Sequence, residues 1–259
     1  MIDVPSDRRN RIAAAFGRAD GYDETARVQR TAAAMLAARI AAAGLAPDPR
    51  ILELGCGTGF LTRALADAIG PARWTVSDLA PAMVERARTR LDLPADYRVI
   101  DGEAVDASLG PFDLIASSMA FQWFADLPGA VARLAARLAP GGLLAFATMA
   151  EGSLAEWRQA IGDDSRPPDP PAMPPYPGTD ALAAMAPPGF AADTAIIDLP
   201  ERMNDARHFL RGLKAIGAGT ADGAYRPLPP AALRRAMARF DAGPRIVTYR
   251  IGFCLFRAP

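Results

Sequence analysis

Ile51-Leu52-Glu53-Leu54-Gly55-Cys56-Gly57-Thr58-Gly59-Phe60-Leu61 reads as a short buried strand, a glycine-rich turn and the first turn of a helix. Glycines at 55, 57 and 59 let the backbone approach a ligand where any Cβ would collide. Nucleotide-like ligands need that geometry, but two common forms of it are excluded. The dinucleotide pattern GxGxxG fails at Phe60, which stands where its third glycine belongs, and the phosphate-binding P-loop fails because the turn has no lysine.

Outward from this turn, β-type runs at Ile51–Leu54, Trp74–Ser77, Tyr97–Ile100, Phe112–Ser117 and Leu143–Thr148 alternate with helical stretches at Leu61–Ile69, Met83–Leu91 and Ala130–Leu138. Such alternation implies right-handed crossovers and a parallel sheet with both faces covered. Turn signals separate the runs at Gly70-Pro71, Gly110-Pro111 and Pro140-Gly141-Gly142. An alanine-rich helix precedes the first strand, from Gln29 to Gly44. The regularity stops between Gly162 and Pro188, where Pro-Pro occurs four times, and that stretch reads as a stiff surface connection. A strand at Ala195–Leu199, a helix at Ala206–Ile216, a helix begun by Pro229-Pro230 and a long strand at Arg245–Phe256 follow.

Bulk properties narrow the class. The chain has 259 residues, 51% hydrophobic and 22% charged, enough for one packed α/β domain over 1–259. Its zero net charge offers no general attraction to nucleic acid or an anionic membrane, and Arg39 interrupts the alanine-rich run well short of a membrane span. Cys56 and Cys254 form no metal-ligating or disulfide pattern, so no metal is expected and a reducing cytoplasm fits.

The acids around the glycine turn suggest what it holds. A GxGxG turn preceded by Glu53 resembles motif I of the class I methyltransferases, whose cofactor, S-adenosylmethionine, carries a cationic sulfonium and an ammonium and no phosphate. Asp78, at the end of the second strand, is positioned to accept hydrogen bonds from two ribose hydroxyls. Asp101, in Asp101-Gly102-Glu103 after the third strand, would face the adenine amino group. On this resemblance the expected cofactor-binding set is Tyr22, Glu53, Gly55, Cys56, Gly57, Gly59, Asp78, Leu79, Met83, Asp101, Gly102, Glu103 and Ser117. Cys56 reads as a small residue in a crowded turn, with no histidine nearby in sequence to activate it.

The segment Ser117-Ser118-Met119-Ala120-Phe121-Gln122-Trp123-Phe124 is too aromatic for an ordinary loop and lies at the carboxyl edge of the sheet. Together with Ala15-Phe16-Gly17-Arg18-Ala19, Gln29-Arg30, Thr148, Gly152-Ser153-Leu154 and Leu213-Lys214-Ala215-Ile216-Gly217-Ala218, it makes the chain resemble the malonyl-acyl-carrier-protein O-methyltransferases of biotin synthesis, the BioC family.

The resemblance implies a Rossmann-like α/β fold: a seven-stranded, mostly parallel sheet with helices on both faces, an antiparallel last strand and a small helical cap. It implies an N-terminal segment (1–44) over the cofactor, a cofactor-binding core (45–160), and a proline-rich connection with a helical substrate lid (161–240). The implied acceptor is the free carboxylate of a malonyl thioester on acyl-carrier protein, bound by a monomer. Tyr22 and Arg211 would orient it without a general base, and Phe121, Gln122, Trp123, Arg207, Arg211 and Lys214 would contact substrate or carrier. On a helical wheel Arg207, Arg211 and Lys214 share one face and Phe209, Leu213 and Ile216 the other. Between 200 and 250 there are ten Arg and Lys against four Asp and Glu, which suits an acidic partner. Three alternatives stay open: a relative of the arginine-hydroxylating complex I assembly factor, a methyltransferase for another small acid, and a non-catalytic cofactor-binding scaffold.

Overall fold

A computed structural model describes residues 10–14, 16, 26–162, 176–215 and 228–259. Tyr22 and Ile216 lie outside the described residues. In chain order the elements are α1 (Arg27–Ala43), β1 (Arg50–Leu54), α2 (Phe60–Ile69), β2 (Arg73–Asp78), α3 (Pro81–Arg90), β3 (Ala95–Val99), β4 (Phe112–Ser118), a 3-10 turn (Phe121–Trp123), α4 (Leu127–Ala135), β5 (Leu138–Met149), α5 (Ala155–Ile161), α6 (Thr179–Ala183), β6 (Ala191–Arg202), α7 (Ala206–Ala215), α8 (Pro230–Ala242) and β7 (Ile246–Arg257).

The seven strands form one sheet in the order β3-β2-β1-β4-β5-β7-β6. β1 pairs in parallel with both β2 and β4, and β4 with β5, whereas β7 runs antiparallel between β5 and β6. The expected sheet, antiparallel last strand included, is therefore the observed one. Because the chain moves outward from β1 to β3 and then returns to β4 on the other side of β1, the crossovers diverge and leave a crevice above the carboxyl ends of β1 and β4.

Side-chain alternation divides the core into two layers. Ile51, Leu114, Ala116, Leu143 and Ala145 point to the face covered by α1, α2, α5, α7 and α8. Leu52, Ile115, Leu144 and Phe146 point to the other, covered by α4 and α6. Small side chains let α1 lie close to the sheet: Ala32, Ala33 and Ala37 are all buried beside Leu36 and Ile40. Its carboxyl end is held from the last strand, where Arg257 donates from Nη2 to the carbonyls of Ala43 at 2.7 Å and Gly44 at 2.8 Å.

Three expectations need revision. The strand at Ala195–Leu199 extends over Ala191–Arg202, because β7 pairs with it along its whole length. Pro200 is accommodated inside it because β6 is an edge strand, where a missing N–H is tolerated. Pro140-Gly141-Gly142 is an irregularity within β5, whose pairing with β4 shifts register there. The described part of the proline-rich connection is also more than a surface strap: α6 buries Leu182 completely against Gly252 of β7.

Candidate active site

At the end of β1 the chain turns through Gly55, Gly57 and Gly59 with φ of 70°, 54° and 90°. Only glycine visits that left-handed region without cost. Gly55 must also be bare, since a Cβ there would run into the Cβ of Ala120 from the segment after β4. The turn is held by β2: the N–H of Cys56 donates to Ser77 O at 2.8 Å, and that of Gly57 to Asp78 Oδ2 at 2.9 Å. Asp78 Oδ1 accepts from the N–H of Ala80 at 2.8 Å, so one carboxylate fixes the glycine turn and the start of α3 together.

Glu53 is buried, and its Oε2 accepts from Thr62 Oγ1 at 2.6 Å. Desolvation pushes its pKa up to about 7, the Thr62 hydroxyl opposing and Asp78 adding to the rise. Burial likewise raises Asp78, against the backbone N–H groups that hold it. The Cys56 thiol is pushed well above its ordinary value by burial and by the charges of Asp78 and Glu53, which removes it as a nucleophile. After β3, Asp101 Oδ1 accepts from the N–H of Glu103, and Glu103 Oε1 accepts from the N–H groups of Ala125 and Asp126, each at 2.9 Å. Gly102 is packed so closely on Phe124 that an added Cβ would stand 2.7 Å from the ring.

These pieces surround one hollow at the crevice. Of the residues expected to bind the cofactor, Glu53, Gly55, Cys56, Gly57, Asp78, Leu79, Asp101, Gly102 and Glu103 line it, and so does Trp123 of the substrate set. Gly59 instead caps α2, and Met83 packs behind the wall beside Ala80. Ser117 turns to the opposite face of the sheet: Leu114 and Ala116 point toward α1, so by period two Ser118, not Ser117, faces the hollow, and Ser118 lines it. Phe121 is fully buried against Phe124 and Phe146. Gln122 supports the rim from outside, donating from Nε2 to Met119 O at 2.7 Å and accepting from Thr148 Oγ1.

Arg207, Arg211 and Lys214 are exposed on α7, opposite buried Phe209, and do not line the hollow. Arg211, expected to orient the substrate carboxylate, donates from Nε to the carbonyl of Arg207.

Among the lining residues, Ile12, Ala13 and Ala33 carry no motif, and Phe16 and Gln29 carried the family resemblance without an assigned role. Ile12, Ala13, Phe16, Gln29 and Ala33 roof the hollow from the N-terminal side, and Phe16 meets Trp123 edge-on at 5.6 Å between ring centroids. The alanine-rich pattern of α1 announced a helix but not which face met a ligand. Met119 adopts φ of 56°, a left-handed backbone rare outside glycine, which turns the chain from β4 toward Gly55.

The lining carries four carboxylates, Glu53, Asp78, Asp101 and Glu103, and no Arg, Lys or His among the described residues. Such a hollow repels phosphates and attracts a cation. This sheet with a bare-backbone turn at β1 and an acid-rimmed crevice beside β4 defines a class I methyltransferase. A methyltransferase-domain family matches residues 51–142. A putative methyltransferase from Bacillus halodurans superimposes with a TM-score of 0.60 at 13% identity, covering 86% of this chain and 98% of that one, which establishes the fold.

The sequence relatives are more particular. A malonyl-[acyl-carrier protein] O-methyltransferase from Magnetococcus marinus is 38% identical over 95% of this chain and 91% of its own length. The biotin biosynthesis bifunctional protein BioCD of Bordetella avium is 45% identical over 93% of this chain, which spans 50% of that relative's length. The chain belongs to the malonyl-[acyl-carrier protein] O-methyltransferase family.

Proposed function

We propose that this chain transfers a methyl group from S-adenosylmethionine to the free carboxylate of a malonyl thioester on acyl-carrier protein, in biotin synthesis. The observation that carries the reading is the hollow itself: a glycine turn ringed by Glu53, Asp78, Asp101 and Glu103 at the sheet's crevice, with no cation lining it among the described residues. The family assignment supplies the acceptor.

When bound, the cofactor supplies a methyl group on a cationic sulfur, which an ionised carboxylate can take without giving up a proton. The chain's own residues then have only to bind, orient and exclude water. The glycine turn leaves room for the amino-acid end of the cofactor against bare backbone. Asp78 spends one lone pair of each oxygen on Gly57 and Ala80 and keeps others for the ribose hydroxyls. Asp101 and Gly102 border the space for the adenine. Glu53, beneath the turn, answers the positive charge. No general base is required, and the one histidine, His208, stands on α7 away from the lining. Residues Ile12, Ala13 and Phe16 close the hollow from above, in keeping with a covering role for 1–44. The exposed Arg207, Arg211 and Lys214 face solvent, where an acidic carrier protein can meet them.

The test is incubation of the purified chain with methyl-labelled cofactor and, in parallel, malonyl-acyl-carrier protein, malonyl-CoA and free malonate. Labelled methyl ester on the carrier thioester above the other two is the expected result. Absence of label on every malonyl compound would overturn the assignment.

A further inference from the structure

An anionic acceptor has to enter a hollow whose lining already holds four carboxylates. Like charges repel it from the β1–β2–β3 side, where Glu53, Asp78, Asp101 and Glu103 all stand. An arginine or lysine inside the hollow would offset that repulsion, but it would also repel a cationic sulfur. The donors that satisfy both demands are uncharged N–H and O–H groups, placed away from the acids.

The β4–α1 side of the same hollow offers two. Ser118 ends β4, and alternation turns its side chain toward α1. Its Oγ is buried and has no hydrogen-bond partner among the described residues, a costly condition for a hydroxyl that a ligand oxygen would relieve. Gln29, in the first turn of α1, also lines the hollow and is half-buried. Neither has a role in holding the glycine turn, which β2 does through Ser77 and Asp78.

We propose that Ser118 and Gln29 bind the acceptor's carboxylate, the hydroxyl and the carboxamide N–H each donating to it as uncharged partners, so that the hollow has an acidic wall for the cation and a neutral donor wall for the anion. A carboxylate held this way keeps its charge and a free lone pair for attack, and no proton has to move. This assignment rests on the reading of the acceptor as a carboxylate. It also separates two tasks: Arg207, Arg211 and Lys214 are left to the carrier, and the reacting group is left to neutral side chains.

The experiment uses the full chain saturated with S-adenosylhomocysteine and measures, by calorimetry, binding of malonyl-acyl-carrier protein and of the same carrier bearing the malonyl methyl ester. The wild type should prefer the free acid. Ser118→Ala and Gln29→Leu should each cut that preference about tenfold, the worth of one charge-assisted hydrogen bond, and Gln29→Glu should cut it further by placing a fifth carboxylate beside the acceptor. S-adenosylhomocysteine affinity should stay within about twofold in every variant, which also certifies that each is folded. Two results would overturn the inference: an unchanged preference, or a loss of S-adenosylhomocysteine affinity equal to the loss for the carrier, which would assign both side chains to the cofactor's own carboxylate. A wild-type chain that methylates no malonyl thioester would sink the functional reading itself, and so is told apart from either.

Discussion

Burial, charge and ligand meet at Glu53. Its carboxyl titrates near 7 in the folded chain, chiefly because it is desolvated, and near 4.5 when unfolded. The folded state therefore holds an extra proton between those values, so this group's contribution to stability is full below pH 4.5 and lost as pH rises through about 7. The whole difference corresponds to about 3 kcal/mol. Glu53→Gln, which keeps an acceptor for Thr62, should raise the melting temperature of the ligand-free chain at pH 8, and an unchanged value would refute the assignment of a buried, charged Glu53. The same variant should bind cofactor more weakly. In the wild type, cofactor binding should release protons below pH 7, with affinity falling by up to about tenfold per pH unit; calorimetry in buffers of different ionisation enthalpy would detect the proton. At Gly55, substitution by alanine combines a left-handed φ with a collision at Ala120. A loss of about 1–3 kcal/mol is expected, together with at least a tenfold loss of cofactor affinity, read by thermal melting and calorimetry.

Helices from the second half of the chain are tied to the sheet and to one another by specific contacts. Glu156 of α5 accepts from the backbone N–H of Thr248 at 2.9 Å and from its hydroxyl at 2.5 Å, joining α5 to β7. Desolvation raises the Glu156 pKa, but these two bonds outweigh it and leave the carboxyl below its ordinary value. A depressed carboxyl stabilises above its unfolded pKa and loses that effect as pH falls through the folded one. Glu156→Ala should thus cost about 1–3 kcal/mol at neutral pH, with the gap between wild type and variant narrowing in acid. A pH-independent gap would contradict this. Phe209 of α7 packs on Trp157 of α5 at 5.4 Å and on Phe240 of α8 at 6.0 Å, so three helices share one aromatic cluster. Phe209→Ala should cost about 3–5 kcal/mol if the chain melts as a unit. If α7 detaches locally instead, hydrogen exchange in 206–215 should rise while global stability stays near wild type. Helix α7 was legible in the sequence because its charged and apolar stripes alternate at helical spacing. The extent of β6 was not, because Pro200 looks like a terminator until β7 is seen beside it.

For the molecule as a whole, strand and helix alternation sufficed to predict the sheet, since period-two and period-3.6 patterns follow from burial on each face. The glycine turn and the acids at the ends of three successive strands were readable for the same reason: the topology sends those ends to one edge. For residues that reach the hollow from outside that pattern, the resemblance gave the covering segment but periodicity did not give which side chains point inward. Ile12, Ala13, Phe16 and Gln29 arrive from the N-terminal side, and Ser118 differs from the expected Ser117 by one position, which in a strand is the difference between opposite faces. Arg207, Arg211 and Lys214 fell on their predicted helix face, yet that face looks outward. Opposite charges therefore occupy separate regions of a molecule with no net charge, an acidic hollow and a basic helix. Reversal of all three to Glu should raise the KM for malonyl-acyl-carrier protein at least tenfold and leave cofactor affinity unchanged, and the effect should shrink at high salt.

The central claim is that the acid-ringed hollow holds the methyl donor. A crystal structure grown with S-adenosylhomocysteine tests it most directly: the ribose hydroxyls should lie within hydrogen-bond distance of Asp78, with the adenine beside Asp101 and Gly102 and the amino-acid end over Gly55 and Gly57. Density for that molecule anywhere else, or contacts that leave Asp78 out, would contradict it.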